Sequence, residues 1–212
     1  MGTIPQPLLY MFIMLIVAMV PFFVLSMTSY VKISIVLNIL RNAIGIQQVP
    51  SGMLIGTLSL MLSLHCMSPV FSAVSNTLGK LTTDELMLVD DKGALELTKV
   101  FSVLEKISLP FKDFLKKNVD EEEEFLIAGT DMGFFSLLTS FMLSEIKKGF
   151  SIGVVIYLPF LVIDLLVANI LLGLGMMMLS PSVVSLPCKW LTFVLCDGWF
   201  KICQSLVLSY GL

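Results

Sequence analysis

Apolar and polar positions divide the chain into two apolar blocks separated by a charged insert. Residues 1–31 carry no charge, and residues 8–26 are almost wholly apolar. A bilayer core needs ~20 apolar residues, so this run predicts a membrane-type helix, with Pro21 marking a kink or break. It has neither the basic leader nor the small-x-small cleavage site of a signal peptide, and is read as a retained first span. Beyond it, Ile33, Val36, Leu37, Leu40 and Ile44 recur at helical spacing. The helix is therefore expected to continue to a stop near Gly45, with Pro50 opening the next. Residues 51–75 form a second charge-free segment, in which Gly52 and Gly56 lie four apart. Such spacing permits close helix packing, or is coincidence in a glycine-tolerant segment.

The pattern then changes. In residues 95–107, Leu97, Val100, Phe101, Leu104 and Ile107 mark one face and Glu96, Lys99, Glu105 and Lys106 the others, which predicts an amphipathic helix. Pro110 is expected to end it, and Phe111, Phe114 and Leu115 to begin a short second helix. Residues 120–124 are consecutive acids, a solvated loop or a helix start. From Gly133 the chain is apolar again, and a helix is expected from near Phe134, with a second glycine pair at Gly149 and Gly153, running on to Pro181. Pro181 and Pro187 are expected to bracket a tight turn, followed by a last apolar segment over residues 188–208. No ten-residue alternation suggests a barrel. The expected fold is all-α and of polytopic membrane type. Two hydrophobic helical hairpins, residues 1–75 and 134–212, flank an acidic helical insert at residues 76–133.

Composition agrees with that pattern. The 212 residues are 57% hydrophobic and only 14% charged, against roughly 25% charged in an ordinary soluble domain. Such a chain lacks the charge to cover a soluble surface, so its apolar surface faces lipid or other subunits. Nine lysines and fourteen acids lie between residues 76 and 148, while residues 1–75 hold only Lys32 and Arg41. Treated as the charges of a short basic loop, Lys32 and Arg41 put that loop in the cytoplasm and the insert on the far side. No basic patch suggests nucleic acid.

Catalytic chemistry is hard to find. Cys66, Cys188, Cys196 and Cys203 sit in apolar runs without metal spacing, and are read as small buried hydrophobes. His65 is the single histidine; its neighbour Cys66 cannot face it on a helix. No phosphate-cradling glycine loop occurs. The reading is not an enzyme and no cofactor. Asp164 is more informative, because a carboxylate inside an apolar span needs a partner or water. It either pairs with a neighbouring helix, through Lys189 or a charge of another subunit, or serves as a polar lining or proton-relay acid. The latter is the basis of an alternative function, a small polytopic proton-coupled transporter using Asp164. Asp197 and Lys201, four apart, are expected to pair with each other. Met176, Met177 and Met178 follow a glycine-rich break. They are either apolar filling or a flexible, uncharged seal.

Two long strings resemble a known family. The first runs from Thr28-Ser29-Tyr30-Val31-Lys32-Ile33-Ser34 through Leu40-Arg41-Asn42-Ala43-Ile44-Gly45 to Pro50. The second runs from Ser144-Glu145-Ile146-Lys147 through Tyr157-Leu158-Pro159-Phe160-Leu161-Val162-Ile163-Asp164-Leu165 and Gly175-Met176-Met177-Met178-Leu179-Ser180-Pro181 to Asp197-Gly198-Trp199. They resemble the FliP/SctR export-gate family shared by flagella and virulence injectisomes, and the uncleaved start resembles the injectisome branch. The resemblance implies a core pore subunit of a type III export gate in the bacterial inner membrane, conducting unfolded proteins. It implies a five-copy ring joined by two smaller membrane partners, raised toward the periplasmic side, with needle or rod components and secreted proteins as cargo. By position it implies a pore gasket at Met176, Met177 and Met178. It also implies subunit contacts at Glu145 and basic signature positions at Lys32 and Arg41.

Overall fold

The computed structural model describes residues 6–45, 50–80, 97–120, 122, 133–176 and 178–211. All of its regular elements are helices. The uncharged α1 (Gln6–Ser26) runs through Pro21 without a break. The break comes later, at residues 27–29, before α2 (Tyr30–Ile44). At the end of α1 the Ser26 Oγ turns back to donate to the Phe22 carbonyl at 2.7 Å. Gly45, at φ 82°, closes α2 in the left-handed conformation that costs a glycine nothing.

The core is organised around α2. Ile33, Val36, Leu37, Leu40 and Ile44, the apolar stripe read from the sequence, are all 0% exposed. Ile55, Phe160, Phe193 and Leu206 join them in one cluster. The main neighbour of α2 is α6 (Gly133–Gly173), a helix of 41 residues and therefore about 60 Å long. The two cross at the second glycine pair. A Cβ on Gly149 would lie 3.3 Å from Ile35 and 3.4 Å from the Lys32 Cα, and one on Gly153 would lie 2.3 Å from Ile39 Cδ1. The first pair has no such role: Cβ atoms on Gly52 and Gly56 would meet only Arg41 Nη1 at 3.7 Å and Tyr30 Oη at 3.8 Å.

Several segments differ from their sequence expectation. The second apolar run is two helices, α3 (Gly52–Cys66) and α4 (Ser68–Gly79), bent by 54° at Met67. Pro69 fits the first turn of α4, where its missing N–H goes unmissed. Pro110 does not end the amphipathic helix; α5 (Leu97–Asn118) continues through it. Its C-terminal turns bury Leu115 against Leu137, Leu138 and Phe141 of α6, so tertiary packing outweighs one lost hydrogen bond. Residues 181–187 are not a turn. They begin α7 (Pro181–Leu195), with Pro181 in the first turn and Pro187 inside the helix. The last run is broken at Asp197, which adopts φ 51° and joins α7 to α8 (Gly198–Leu208) at a 58° elbow. Gly198 is required there because a Cβ would fall 2.1 Å from the Phe193 ring. Asp197 and Lys201 form no ion pair, and Lys32 and Arg41, treated as loop charges for orientation, are helix residues of α2.

Among the described residues, α6 is by length and hydropathy a membrane-crossing helix. The bent pairs α3/α4 and α7/α8 qualify when each is taken as one broken span.

Candidate pore tip and polar helix junctions

Gly175 fixes the geometry of the methionine turn. At φ 74° it ends α6 with a paired closure: the Gly175 N–H donates to the Leu172 carbonyl and the Met176 N–H to the Leu171 carbonyl, each at 3.0 Å. This Schellman arrangement satisfies carbonyls that the helix end would leave bare. It also throws the following residues off the helix end. Met176 is half exposed, and Met178 is fully exposed, uncovered by the other described residues. Met177 lies outside the described residues. The turn is therefore an uncharged, flexible tip between two apolar helices, able to fill a gap of changing shape.

Asp164 lies further back on α6. Its Oδ2 accepts from Lys189 Nζ of α7 at 2.6 Å, and the same ammonium donates to the Ala43 carbonyl of α2 at 3.2 Å. Lys189 is buried while the Asp164 side chain is 43% exposed. One cation thus closes three helices together near the C-terminal end of α2. Arg41, on the same helix, reaches the Pro50 carbonyl at 3.5 Å and bridges α2 to the start of α3, while its Nε is buried with no hydrogen-bond partner among the described residues.

A second junction forms around Glu145, which is 0% exposed. Tyr210 Oη donates to Glu145 Oε2. Glu145 Oε1 accepts no hydrogen bond from the described residues and faces Lys32 Nζ at 3.9 Å. Lys32 Nζ also lies 3.5 Å from the centre of the Tyr210 ring, a cation–π contact, and that ring stacks with Phe114 of α5 at 6.1 Å. Within the chain, then, Lys32 and Glu145 make contacts between helices, and Tyr210 ties them to the insert.

The outer side of the same stretch of α6 holds the end of α5. Lys148 Nζ donates to the Asn118 carbonyl at 2.7 Å and pairs with Asp120 at 2.8 Å, and Lys147 pairs with Glu122. Ser144 Oγ donates to the Asn118 carbonyl and accepts from the Asp120 N–H. Partial burial pushes the Asp120 carboxyl up, but the Lys148 hydrogen bond and charge outweigh it and hold the group below its ordinary value. The rest of the acidic run, residues 121, 123 and 124, lies outside the described residues.

Sequence reasoning marked Lys32, Arg41, Glu145 and Asp164 without joining them. Lys32 and Glu145 come together; Asp164 and Arg41 are separate junctions with their own partners. It missed Tyr210 altogether, because nothing in the C-terminal sequence Ser209-Tyr210-Gly211 distinguishes a buried phenol from a frayed end. It also gave no sign that Ser144 and Lys148 anchor the insert. The described residues contain no cluster of side chains able to hold a metal, and His65 is exposed at the end of α3.

This arrangement combines uncovered apolar helices, a methionine tip and polar contacts spent on holding helices together, as expected of a membrane transport component. Comparison with known proteins agrees. The FliP family model matches residues 13–206. The chain is 35% identical to the Yop proteins translocation protein R of Yersinia pestis over the full length of both. It is 37% identical to the surface presentation of antigens protein SpaP of Shigella flexneri, with 91% of each chain covered. The flagellar biosynthetic protein FliP of Cereibacter sphaeroides is 40% identical, over 93% of this chain and 65% of that protein. The chain belongs to the FliP family, the export-apparatus membrane proteins of type III secretion. It is a transport component and not an enzyme, and it works in a complex with other export-apparatus proteins.

Proposed function

We propose that the chain is a pore-forming subunit of the export gate, conducting unfolded protein across the bacterial inner membrane. In this reading copies of the chain close into a ring, five by family resemblance, with two smaller membrane partners. The tips at Met176, Met177 and Met178 converge to narrow the resting channel. The observation that carries the reading is the tip: a Schellman-closed helix end that leaves Met176 half exposed and Met178 fully exposed. Exposed Leu158, Leu161, Leu165 and Leu172 of α6 supply apolar surface for neighbouring subunits or lipid. The insert faces the periplasmic side, and its charged end is held at the Lys147–Lys148 level of α6. Replacing all three methionines by alanine removes the flexible bulk and leaves the helix closure at Gly175 intact. The expected result is an assembled gate that leaks small solutes at rest. Permeability equal to wild type, with normal amounts of complex, refutes the gasket.

A further inference from the structure

The C-terminal apolar block, residues 149–212, holds only four charges: Asp164, Lys189, Asp197 and Lys201. Asp164 and Lys189 neutralise each other across α6 and α7. Lys201 is exposed and forms no ion pair among the described residues. It stands on the rim of a groove of about 270 Å³ between α6 and α8, lined by Ile152, Ile156, Lys201, Ile202, Ser205 and Leu206. Ile152 and Ile156 are one turn apart on α6, as are Ile202 and Leu206 on α8, so four branched apolar side chains line the groove from two helices. The outer surface of α6 beside it is apolar and open, with Val155 66% exposed.

We propose that this groove binds an anionic phospholipid, with an acyl chain between the α6 and α8 side chains and the phosphate on the Lys201 ammonium. Charge complementarity selects this occupant. A cation without a counterion, at the edge of an apolar trough on a membrane protein, matches a molecule that is acidic at one end and hydrocarbon at the other. An apolar peptide segment would fill the trough and leave the ammonium unpaired. Ser205, on the same rim one turn beyond Lys201, offers a hydroxyl to a phosphate or glycerol oxygen. The proposal needs only the membrane class of the protein and stands apart from the gasket reading.

The test is native mass spectrometry of the complex in mild detergent, titrated with phosphatidylglycerol or phosphatidylcholine of matched chains. Phosphatidylglycerol is expected to be retained in preference, and Lys201→Gln to lower that preference about fivefold, the effect of one basic residue at an anionic surface. Ser205→Trp fills the groove from its exposed rim and is expected to remove adducts of both lipids. Equal retention of the two lipids in wild type, unchanged by Lys201→Gln, overturns the proposal. So does a lipid-free complex whose copy number falls with Ser205→Trp, because a second copy of the chain then occupies the groove.

Discussion

Replacing Tyr210 by phenylalanine isolates one atom of the Glu145 junction. The ring remains, so the Phe114 stack and the cation–π contact with Lys32 are kept. Only the hydroxyl that donates to Glu145 Oε2 is lost. Because Glu145 Oε1 already accepts no hydrogen bond from the described residues and the residue is fully buried, the variant leaves both carboxylate oxygens without a donor among them. Lys32 Nζ at 3.9 Å remains as the compensating charge but is too far to form one. A hydrogen bond to a charged group contributes about 1.5–3 kcal/mol. For a chain of this size each kcal/mol shifts the melting temperature by roughly 2–4 °C, so the expected fall is about 3–12 °C. Thermal unfolding of the purified protein in mild detergent measures it. Glu145→Gln supplies the control, and in the double variant the two losses should overlap substantially, because the residues share one interaction. A Tyr210→Phe protein that melts with wild type, or strict additivity in the double variant, refutes the claim that the C-terminal turn is fastened through Glu145.

Two further predictions concern packing and pH. Gly153→Ala should destabilise the protein by about 1–3 kcal/mol through overpacking, because β-branched Ile39 cannot rotate all of its atoms away. Gly173→Ala, which meets nothing within 4 Å, should be neutral or stabilising by up to about 1 kcal/mol; equal melting shifts for the two variants would refute the helix-crossing role of Gly153. The folded-state value of Asp120 is held below its unfolded one, so its contribution is complete above about pH 4 and is lost as pH falls through the lowered value. Protection of the C-terminal turn of α5 against hydrogen exchange, taken relative to the intrinsic rate at each pH, should fall over that acid range in wild type and lose this step in Asp120→Asn; identical pH profiles would refute the anchoring by Lys148.

Local chemistry along the chain determined a good deal. A run of residues without charge, a stripe at helical spacing on α2 and the stop at Gly45 each follow from a few consecutive residues, and so they could be read directly. The long ordered strings around Lys32 and Glu145 carried the family. Helix limits near proline were misread for a physical reason. Pro21, Pro110 and Pro187 each cost a helix one hydrogen bond, and packing such as that of Leu115 on α6 outweighs the loss. Which glycine pair mattered was also invisible: Gly52 with Gly56 and Gly149 with Gly153 are alike in sequence, and only the second pair packs closely against another helix. Of the polar junctions, the sequence offered one partner that the structure uses, Lys189 for Asp164; the other contacts belong to the tertiary structure. Lys189 meets the carbonyl of Ala43 across 146 positions, and Tyr210 meets Glu145 across 65. No local periodicity encodes such partners. They are selected because a charge or phenol removed from water in an apolar chain must find its counterpart wherever the folded helices bring one within reach.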